Sequence, residues 1–295
     1  MTGKPRVGIA GVGLMGHGIC HQLLEKDYTV SVLGHKRRER IDDVVQAGAV
    51  EQPNMAALAA ASDVTFIIVP PTAVMAAGEA ALAAAGPDTM TAVLSTCNPG
   101  ITEALSAKAE AAGIAFFEAC MLNGPPNARD GSLQLIAAGP DAVLARAALL
   151  PSDIAERVHQ VGPVGSAQRI KVFNNAIYNV GMAIACEIAA HADIQGIDMG
   201  QFLDIVQGGG TALSAVERGL VRINDADAPT LARVANGRNV FKAYLDVARQ
   251  AGAATPVADG AFSVFEAAME AGLMDEDQTK MSAMLRGQAG KVGPQ

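Results

Sequence analysis

The chain predicts an α/β Rossmann-type N-terminal domain followed by an all-α C-terminal domain, the two joined by a long interdomain helix. Three observations carry this reading. Through the first half, short β-branched runs alternate with Ala-rich helical stretches, the rhythm of a parallel sheet with crossover helices. A glycine-rich turn stands between the first strand-like run and the first helical one. Beyond Gly162-Pro163-Val164-Gly165 the strand-like runs stop and helical periodicity takes over. The expected boundaries are 1–164 for the dinucleotide-binding Rossmann domain and 165–295 for a helical domain serving substrate binding and oligomerisation.

The strands expected in order are 6–10, 29–33, 64–69, 91–95, 115–118 and 133–138, six for one doubly wound domain. The first leads directly into Gly11-Val12-Gly13-Leu14-Met15-Gly16, and a helix is expected over 17–26. In a βαβ setting each glycine of such a turn has its own task. Gly11 permits the tight turn, Gly13 lets backbone approach a pyrophosphate at the helix N-terminus, and Gly16 allows close packing of helix on strand. The second strand ends in Leu33-Gly34-His35-Lys36-Arg37-Arg38, with no acid at its tip and cations just beyond. An NAD site usually offers a carboxylate to the ribose at that place, whereas an NADP site avoids it and supplies cations to the extra phosphate. NADP(H) is therefore the expected cofactor, with NAD less favoured and His35, Lys36 and Arg37 nearest the phosphate; the alternative is a solvated basic loop. Val69 and Pro70 end another strand at the same edge and are expected to cover part of the cofactor. Ser95 and Thr96 follow the next strand, Ser95 facing substrate and Thr96 the cofactor.

Beyond the switch the first expected element is a helix over 166–191, about 39 Å long at 1.5 Å per residue. On it Lys171, Asn174, Asn175, Tyr178 and Asn179 fall within one arc, opposite Val172, Phe173, Ala176, Ile177, Val180 and Ile184. One cation framed by amides reads either as a pocket wall holding a proton donor or as an Asn-rich solvated face.

The composition bounds the rest. With 295 residues, half of them hydrophobic, and a formal net charge of −8, the chain suits a two-domain folded protein and disfavours a nucleic-acid surface. Neither a signal peptide nor a membrane span is read, and a cytoplasmic protein acting on a small molecule is expected, with no nucleic-acid or membrane partner. Cys20, Cys97, Cys120 and Cys186 are read as buried reduced thiols. His17 and His21, one helical turn apart, are read as a surface pair, and no metal is expected. Arg129 and Asp130, in the segment 125–131, are read as a surface ion pair, contact with substrate being the alternative.

These residues together resemble the β-hydroxyacid dehydrogenase family, the 3-hydroxyisobutyrate dehydrogenase-like oxidoreductases. The resemblance runs over nearly the whole chain. It rests on Gly11 to Gly16, on Ser95-Thr96 before Pro99, on a substrate-loop segment from Glu118-Ala119 through Gly131-Ser132-Leu133, and above all on Gly162-x-x-Gly165 leading to Lys171-x-x-Asn174-Asn175. It implies that Lys171 is the catalytic residue, that Asn175 binds substrate and holds the lysine, that Asn174 lies at the substrate, and that the protein is a homodimer or homotetramer. The activity implied is NADP(H)-dependent interconversion of a 3-hydroxy acid, a 3-hydroxy amino acid or a related alcohol with its oxo or aldehyde form. An imine or ketone reductase on the same scaffold is the alternative, and a non-catalytic NADP-binding module a further one; imine reductases typically lack this lysine.

Two departures from the family pattern concern the substrate. Leu122 stands where a serine hydroxyl is usual, with Asn123 and Gly124 still able to offer an amide and backbone donors. Asn239 stands where many members have a substrate-binding lysine, and Lys242, almost one turn on, is a possible replacement. Both changes point to a substrate larger, less anionic or differently oriented than a simple small hydroxy acid.

Overall fold

The computed structural model describes residues 4–34, 38–194, 196–208, 214–225, 227–250 and 255–288. The chain divides into two compact units, Met1–Lys171 and Val172–Gln295. The first is built on an eight-stranded sheet of order β3-β2-β1-β4-β5-β6-β7-β8. Its strands are β1 (Val7–Ala10), β2 (Val30–Leu33), β3 (Val50–Gln52), β4 (Val64–Ile67), β5 (Met90–Val93), β6 (Ala115–Leu122), β7 (Leu133–Ala138) and β8 (Ala155–Gln160). The helices between them are α1 (Leu14–Glu25), α2 (Arg38–Gln46), α3 (Met55–Ala60), α4 (Val74–Ala84), α5 (Pro99–Ala111), α6 (Pro125–Asp130), α7 (Asp141–Ala147) and α8 (Leu149–Ile154). Every neighbouring pair of strands is parallel except β6–β7.

The central strands are buried on both faces, which is why they read as mostly apolar runs, broken only by single buried residues such as Thr65 of β4 and Thr91 of β5. Successive residues of β6 serve opposite faces: Phe117 packs with Ile19, Leu23 and Leu133, whereas Phe116 packs with Val74, Leu105 and Ile114. The two strands that sequence reading missed lie at the two ends of the sheet. Val-Glu-Gln of β3 and Ala-Glu-Arg-Val-His-Gln of β8 are mostly solvent-facing, so they lack the apolar run of a buried strand. Two other expectations are corrected. β6 does not end at Glu118 but continues to Leu122, because its second half pairs antiparallel with β7, Glu118 opposite Ala138 and Leu122 opposite Gln134. The segment 125–131 is not a loop: Pro125 opens α6, and Gly131, at φ 79°, closes it.

α9 (Ser166–Ile194) begins in the first unit and runs into the second. Its burial differs from the amphipathic pattern expected. Gln168, Lys171, Val172, Ala176 and Asn179 are buried, while Ile170, Phe173, Ile177 and Ile184 are 42%, 46%, 67% and 40% exposed. Both sets are split: Lys171 and Asn179 of the polar arc are buried while Asn174 is exposed, and Val172 and Ala176 of the apolar set are buried while Phe173, Ile177 and Ile184 are exposed.

The second unit continues with α10 (Met199–Gly208), α11 (Ser214–Asn224), α12 (Val234–Gln250), α13 (Pro256–Glu270) and α14 (Met281–Gln288). Among its described residues there is no strand, beyond one isolated bridge between Arg233 and Asp277. Its core is centred on Phe241 of α12, fully buried, with Phe262 and Phe265 of α13 meeting it edge-on at centroid distances of 6.0 and 5.9 Å. Asp277 ties the turns together, accepting from Arg222 Nη2 at 2.9 Å, Leu231 N at 2.9 Å and Thr279 Oγ1 at 2.7 Å. Asn179 of α9 donates to Gly237 O at 3.4 Å, and a Cβ on Gly237 would lie 2.2 Å from Gln278 Nε2.

Phe241→Ala removes the centre of this aromatic cluster and should lower the stability of the protein by about 3–5 kcal/mol in denaturant unfolding. Lys242→Ala, one residue on but exposed, should stay within about 0.5 kcal/mol.

Candidate active site

The carboxyl ends of β1, β4 and β5 meet where strand order reverses, the position at which open α/β sheets bind ligands. The glycine turn there performs the tasks expected of it. Gly11 has φ 114°, and a Cβ on it would lie 2.0 Å from Ile68 O. A Cβ on Gly16 would lie 2.0 Å from Gly11 O, so both positions exclude larger residues. Gly13, the N-cap of α1, differs from both: a Cβ there would meet nothing within 4 Å. The first turn of α1 has no side-chain cap and no acid, so its N–H groups are left for an anion. The arrangement fits a dinucleotide pyrophosphate. Val12 and Met15 are half-buried beside the turn, and Leu14 is exposed.

His35, Lys36 and Arg37 lie outside the described residues. Next to them, Arg38 is engaged elsewhere, donating to both carboxylate oxygens of Glu51 at 2.7 and 2.9 Å and to Asp42 at 2.6 Å. Glu51 was not singled out in the sequence because it arrives from β3, an edge strand. A Cβ on Gly34 would lie 2.5 Å from its Oε1, which puts a carboxylate beside the tip of β2 with an arginine paired to it.

Ser95 is buried, and its hydroxyl accepts from Val69 N at 2.8 Å and lies 2.8 Å from Val69 O. It braces the ends of β4 and β5 against each other. Pro70 is exposed beyond Val69 and introduces a short 3₁₀ turn, Pro71–Ala73; Thr96 is half-buried beyond Ser95.

Two residues given no role in the sequence organise the lysine's surroundings. Glu118, fully buried in the middle of β6, accepts through Oε1 from Gly165 N and Ala167 N at 2.9 Å and Gln168 N at 3.3 Å, the opening turn of α9. Burial pushes its carboxyl above the ordinary range, while Thr102 and these N–H groups act in the opposite direction. Gln168 then cross-links α9 to the β5 loop, donating to Ser95 O at 2.9 Å and accepting from Cys97 N at 3.0 Å. The signal available in the sequence was an acid inside the apolar run Ala115-Phe-Phe-Glu118-Ala-Cys-Met-Leu122. Gly165 at φ 95° completes the turn, where a Cβ would lie 2.4 Å from Glu103 Oε1.

Lys171 stands three residues, just under one turn, beyond Gln168 and is 9% exposed. Among the described residues it has no hydrogen-bond or ion-pair partner. Burial lowers its ammonium pKa from 10.5 to about 8, against an opposing pull from the neighbouring Cys120. Cys97 and Cys120 are buried beside the same strand ends; burial pushes the Cys97 thiol up to about 12 and that of Cys120 well above its usual value, so both are protonated and inert as nucleophiles. Cys20 and Cys186 are likewise free and buried.

Leu122 ends β6 half-buried. Asn123 follows at φ 72°, with Nδ2 donating to Ser132 O at 3.3 Å, and Gly124 N donates to Asn127 Oδ1 at 3.3 Å. Arg129 pairs with Glu25 at 2.6 Å and Asp130 accepts from Ser132 N at 2.9 Å. In the second unit Asn175 is half-buried one turn beyond Lys171 on α9, and Asn174 is exposed. Asn239 lies half-buried on α12, and Lys242 is held by Asp246 at 2.7 Å.

Glu118→Ala leaves three buried N–H groups, of Gly165 and of Ala167 and Gln168 in the first turn of α9, without their acceptor, and should cost about 3 kcal/mol in denaturant unfolding. Glu118→Gln, which keeps one carbonyl oxygen, should cost clearly less.

Comparison with known proteins agrees with this geometry. Residues 6–162 match the family model of the NAD-binding domain of 6-phosphogluconate dehydrogenase, and residues 165–285 that of NADP-dependent 3-hydroxyisobutyrate dehydrogenase. L-threonate dehydrogenase of Cupriavidus necator is 25% identical over 95% of this chain and 96% of its own. In fold, a 3-hydroxyisobutyrate dehydrogenase of Salmonella typhimurium superposes with a TM-score of 0.87 at 21% identity, covering 95% of this chain and all of that one. A 3-hydroxyisobutyrate dehydrogenase of Mycobacterium tuberculosis with L-serine gives 0.82 at 21% identity, covering 96% of this chain and all of that one. With its glycine turn, doubly wound sheet and buried lysine, the chain belongs to the β-hydroxyacid dehydrogenases, the 3-hydroxyisobutyrate dehydrogenase-like family of NAD(P)-dependent oxidoreductases acting on CH–OH groups.

Proposed function

We propose that the protein is an NADP(H)-dependent oxidoreductase that interconverts a 3-hydroxy acid, a 3-hydroxy amino acid or a related alcohol with its oxo or aldehyde form. Lys171 is its general acid and base. The observation that carries this reading is a buried lysine with no counter-ion among the described residues, its pKa lowered to about 8. The nicotinamide, when bound, supplies or accepts the hydride. Everything else falls to the chain. As carbonyl oxygen gains negative charge, the Lys171 ammonium stabilises it and delivers a proton. In the oxidative direction the neutral amine accepts the alcohol proton. Asn175, one turn on, offers its amide to the substrate without a competing charge; the expected bond from it to Lys171 is not formed among the described residues.

NADP(H) is favoured because the cations of 35–37 follow β2 directly and the carboxylate beside its tip, Glu51, is already paired with Arg38. For the substrate, Leu122 removes a hydroxyl and Asn239 a cation, which favours a polar hydroxy compound with weaker demands on its acid group. The name of the threonate dehydrogenase relative supports a polyhydroxylated short-chain acid within this class. In this reading 1–164 binds the dinucleotide, 165–295 binds substrate and oligomerises, and the exposed row Ile170, Phe173, Ile177 and Ile184 supports a homodimer or homotetramer.

Lys171→Ala should cut kcat about 100-fold or more while NADPH affinity, followed by fluorescence titration, stays nearly intact; near-normal turnover would overturn the assignment. The sign of the pH dependence follows from the protonation state each direction needs. Oxidation of the alcohol uses the free amine, so its kcat/KM should rise through pH about 8 and level off; reduction uses the ammonium and should fall above the same pH. A panel of hydroxy acids, hydroxy amino acids and cyclic imines should give turnover on the first two classes.

kcat/KM with NADPH should exceed that with NADH by about tenfold or more, and Glu51→Ala should not reverse the order. A clear NADH preference would contradict the cofactor reading.

A further inference from the structure

His17 and His21 lie one turn apart on α1, and the fold sets Asp43 of α2 opposite them. His17 Nε2 is 2.6 Å and His21 Nε2 2.7 Å from the same atom, Asp43 Oδ2. A carboxylate has two oxygens and about four lone-pair positions, so two imidazoles bonding it for its charge alone could divide between the oxygens. Here both rings, edge to face with centroids 4.7 Å apart, aim at one point. The three donor atoms all lie within 4.8 Å of one another. His17 and His21 are 27% and 16% exposed and Asp43 53%, so the histidines are held by packing while the carboxylate stays free to turn.

We propose that His17, His21 and Asp43 form a surface site for a nitrogen-preferring divalent transition cation such as Zn²⁺, Ni²⁺ or Cu²⁺, clamping α1 to α2. The donor set is the argument: two imidazole nitrogens and one carboxylate oxygen suit these cations, whereas Mg²⁺ and Ca²⁺ require oxygen donors. Tetrahedral zinc with bonds of about 2.0–2.1 Å holds neighbouring donors about 3.3 Å apart. The two His–Asp separations therefore have to open by about 0.6–0.7 Å, which a small rotation of the half-exposed Asp43 side chain provides. Metal binding replaces the two Nε2–H···O hydrogen bonds by three metal bonds, the protons passing to the imidazole Nδ1 positions. The fourth position faces solvent and takes water. The spacing of His17 and His21 alone predicted only a surface pair; Asp43, 22 residues beyond His21, is supplied by the fold. The site is separate from Lys171 and is no part of the hydride chemistry, but His17 directly follows Gly16, so a bound cation would lock the helix that begins at the glycine turn to the helix that follows the expected phosphate loop.

The test is calorimetric titration of the metal-stripped full chain with Zn²⁺, alongside Mg²⁺ and Ca²⁺, and electron paramagnetic resonance of the chain loaded with one equivalent of Cu²⁺. The expected result is saturation at one Zn²⁺ per chain, no heat from Mg²⁺ or Ca²⁺, and Cu²⁺ couplings to two imidazole nitrogens. His21→Gln and Asp43→Asn, on separate helices, should each weaken Zn²⁺ binding by about tenfold or more. Their thermal unfolding in chelator checks that each folds, and the Cu²⁺ spectrum of the unaltered chain stands whether or not they do. No saturable Zn²⁺ binding below about 100 μM, or equal binding by both variants, would overturn the proposal.

Discussion

The contact on which the placement of Lys171 depends is the Glu118 carboxylate at the opening turn of α9. A helix start inside a protein exposes N–H groups that water cannot reach, and each must find an acceptor. Here one oxygen from the centre of the sheet meets three of them. The same geometry satisfies Oε1 of the carboxylate, while Oε2 is buried without a hydrogen-bond partner among the described residues and burial holds the carboxyl above its ordinary range. Gln168 adds a second tie, to Ser95 and Cys97, so the helix is pinned to two strand ends at once. With a helix rising 1.5 Å per residue and little able to bend within one turn, fixing Gly165 to Gln168 fixes Lys171. The lysine's position is thus inherited from β5 and β6.

The sheet explains why these ties occur at one edge. Parallel strands connected by helices all end on the same side, and the glycine turn, the Ser95–Val69 brace and the start of α9 are gathered there. β6 is the exception that helps: parallel to β5 through Glu118, it continues as an antiparallel partner of β7 and carries Leu122 and Asn123 beyond the edge. One strand therefore holds the helix clamp in its middle and the expected substrate contacts at its end, four residues apart on a rigid element.

Much of this was legible in the sequence wherever burial acts on a whole element. The inner strands appear as apolar runs because both faces are covered, and the glycine turn reads directly because its steric demands admit no other residue at positions 11 and 16. What the sequence concealed are cases in which a neighbour reverses the usual meaning of polarity. β3 and β8 are strands with solvated faces, held at the sheet edges by hydrogen bonds to a single partner. α9 presents Ile177 and Phe173 outward and Gln168, Lys171 and Asn179 inward, a distribution that periodicity can only report as a polar face. Glu118 was visible as an acid in an apolar run, but its partners lie 47 to 50 residues further along. Asp43 likewise meets His17 only through the packing of α2 on α1.

The lysine gains its chemistry from a contrast with the acids and thiols around it. Burial disfavours every charged form nearby, raising Glu118, Cys97 and Cys120 and lowering Lys171, so the physical cause is common to all four. They differ in compensation. Glu118 is met by three backbone N–H groups, and the thiols simply remain neutral, at no cost to the fold. Lys171 has neither escape: among the described residues no carboxylate pairs with it and no carbonyl accepts from it. A lysine whose task was to stabilise the fold would be paired, since an unpaired buried charge costs more than the packing of its stem returns. The fold accepts that cost at one position, one turn before the Asn175 amide. A proton on such an amine is held loosely enough to be given up near neutral pH and tightly enough to be recovered, which is the property that reversible carbonyl chemistry requires of its acid.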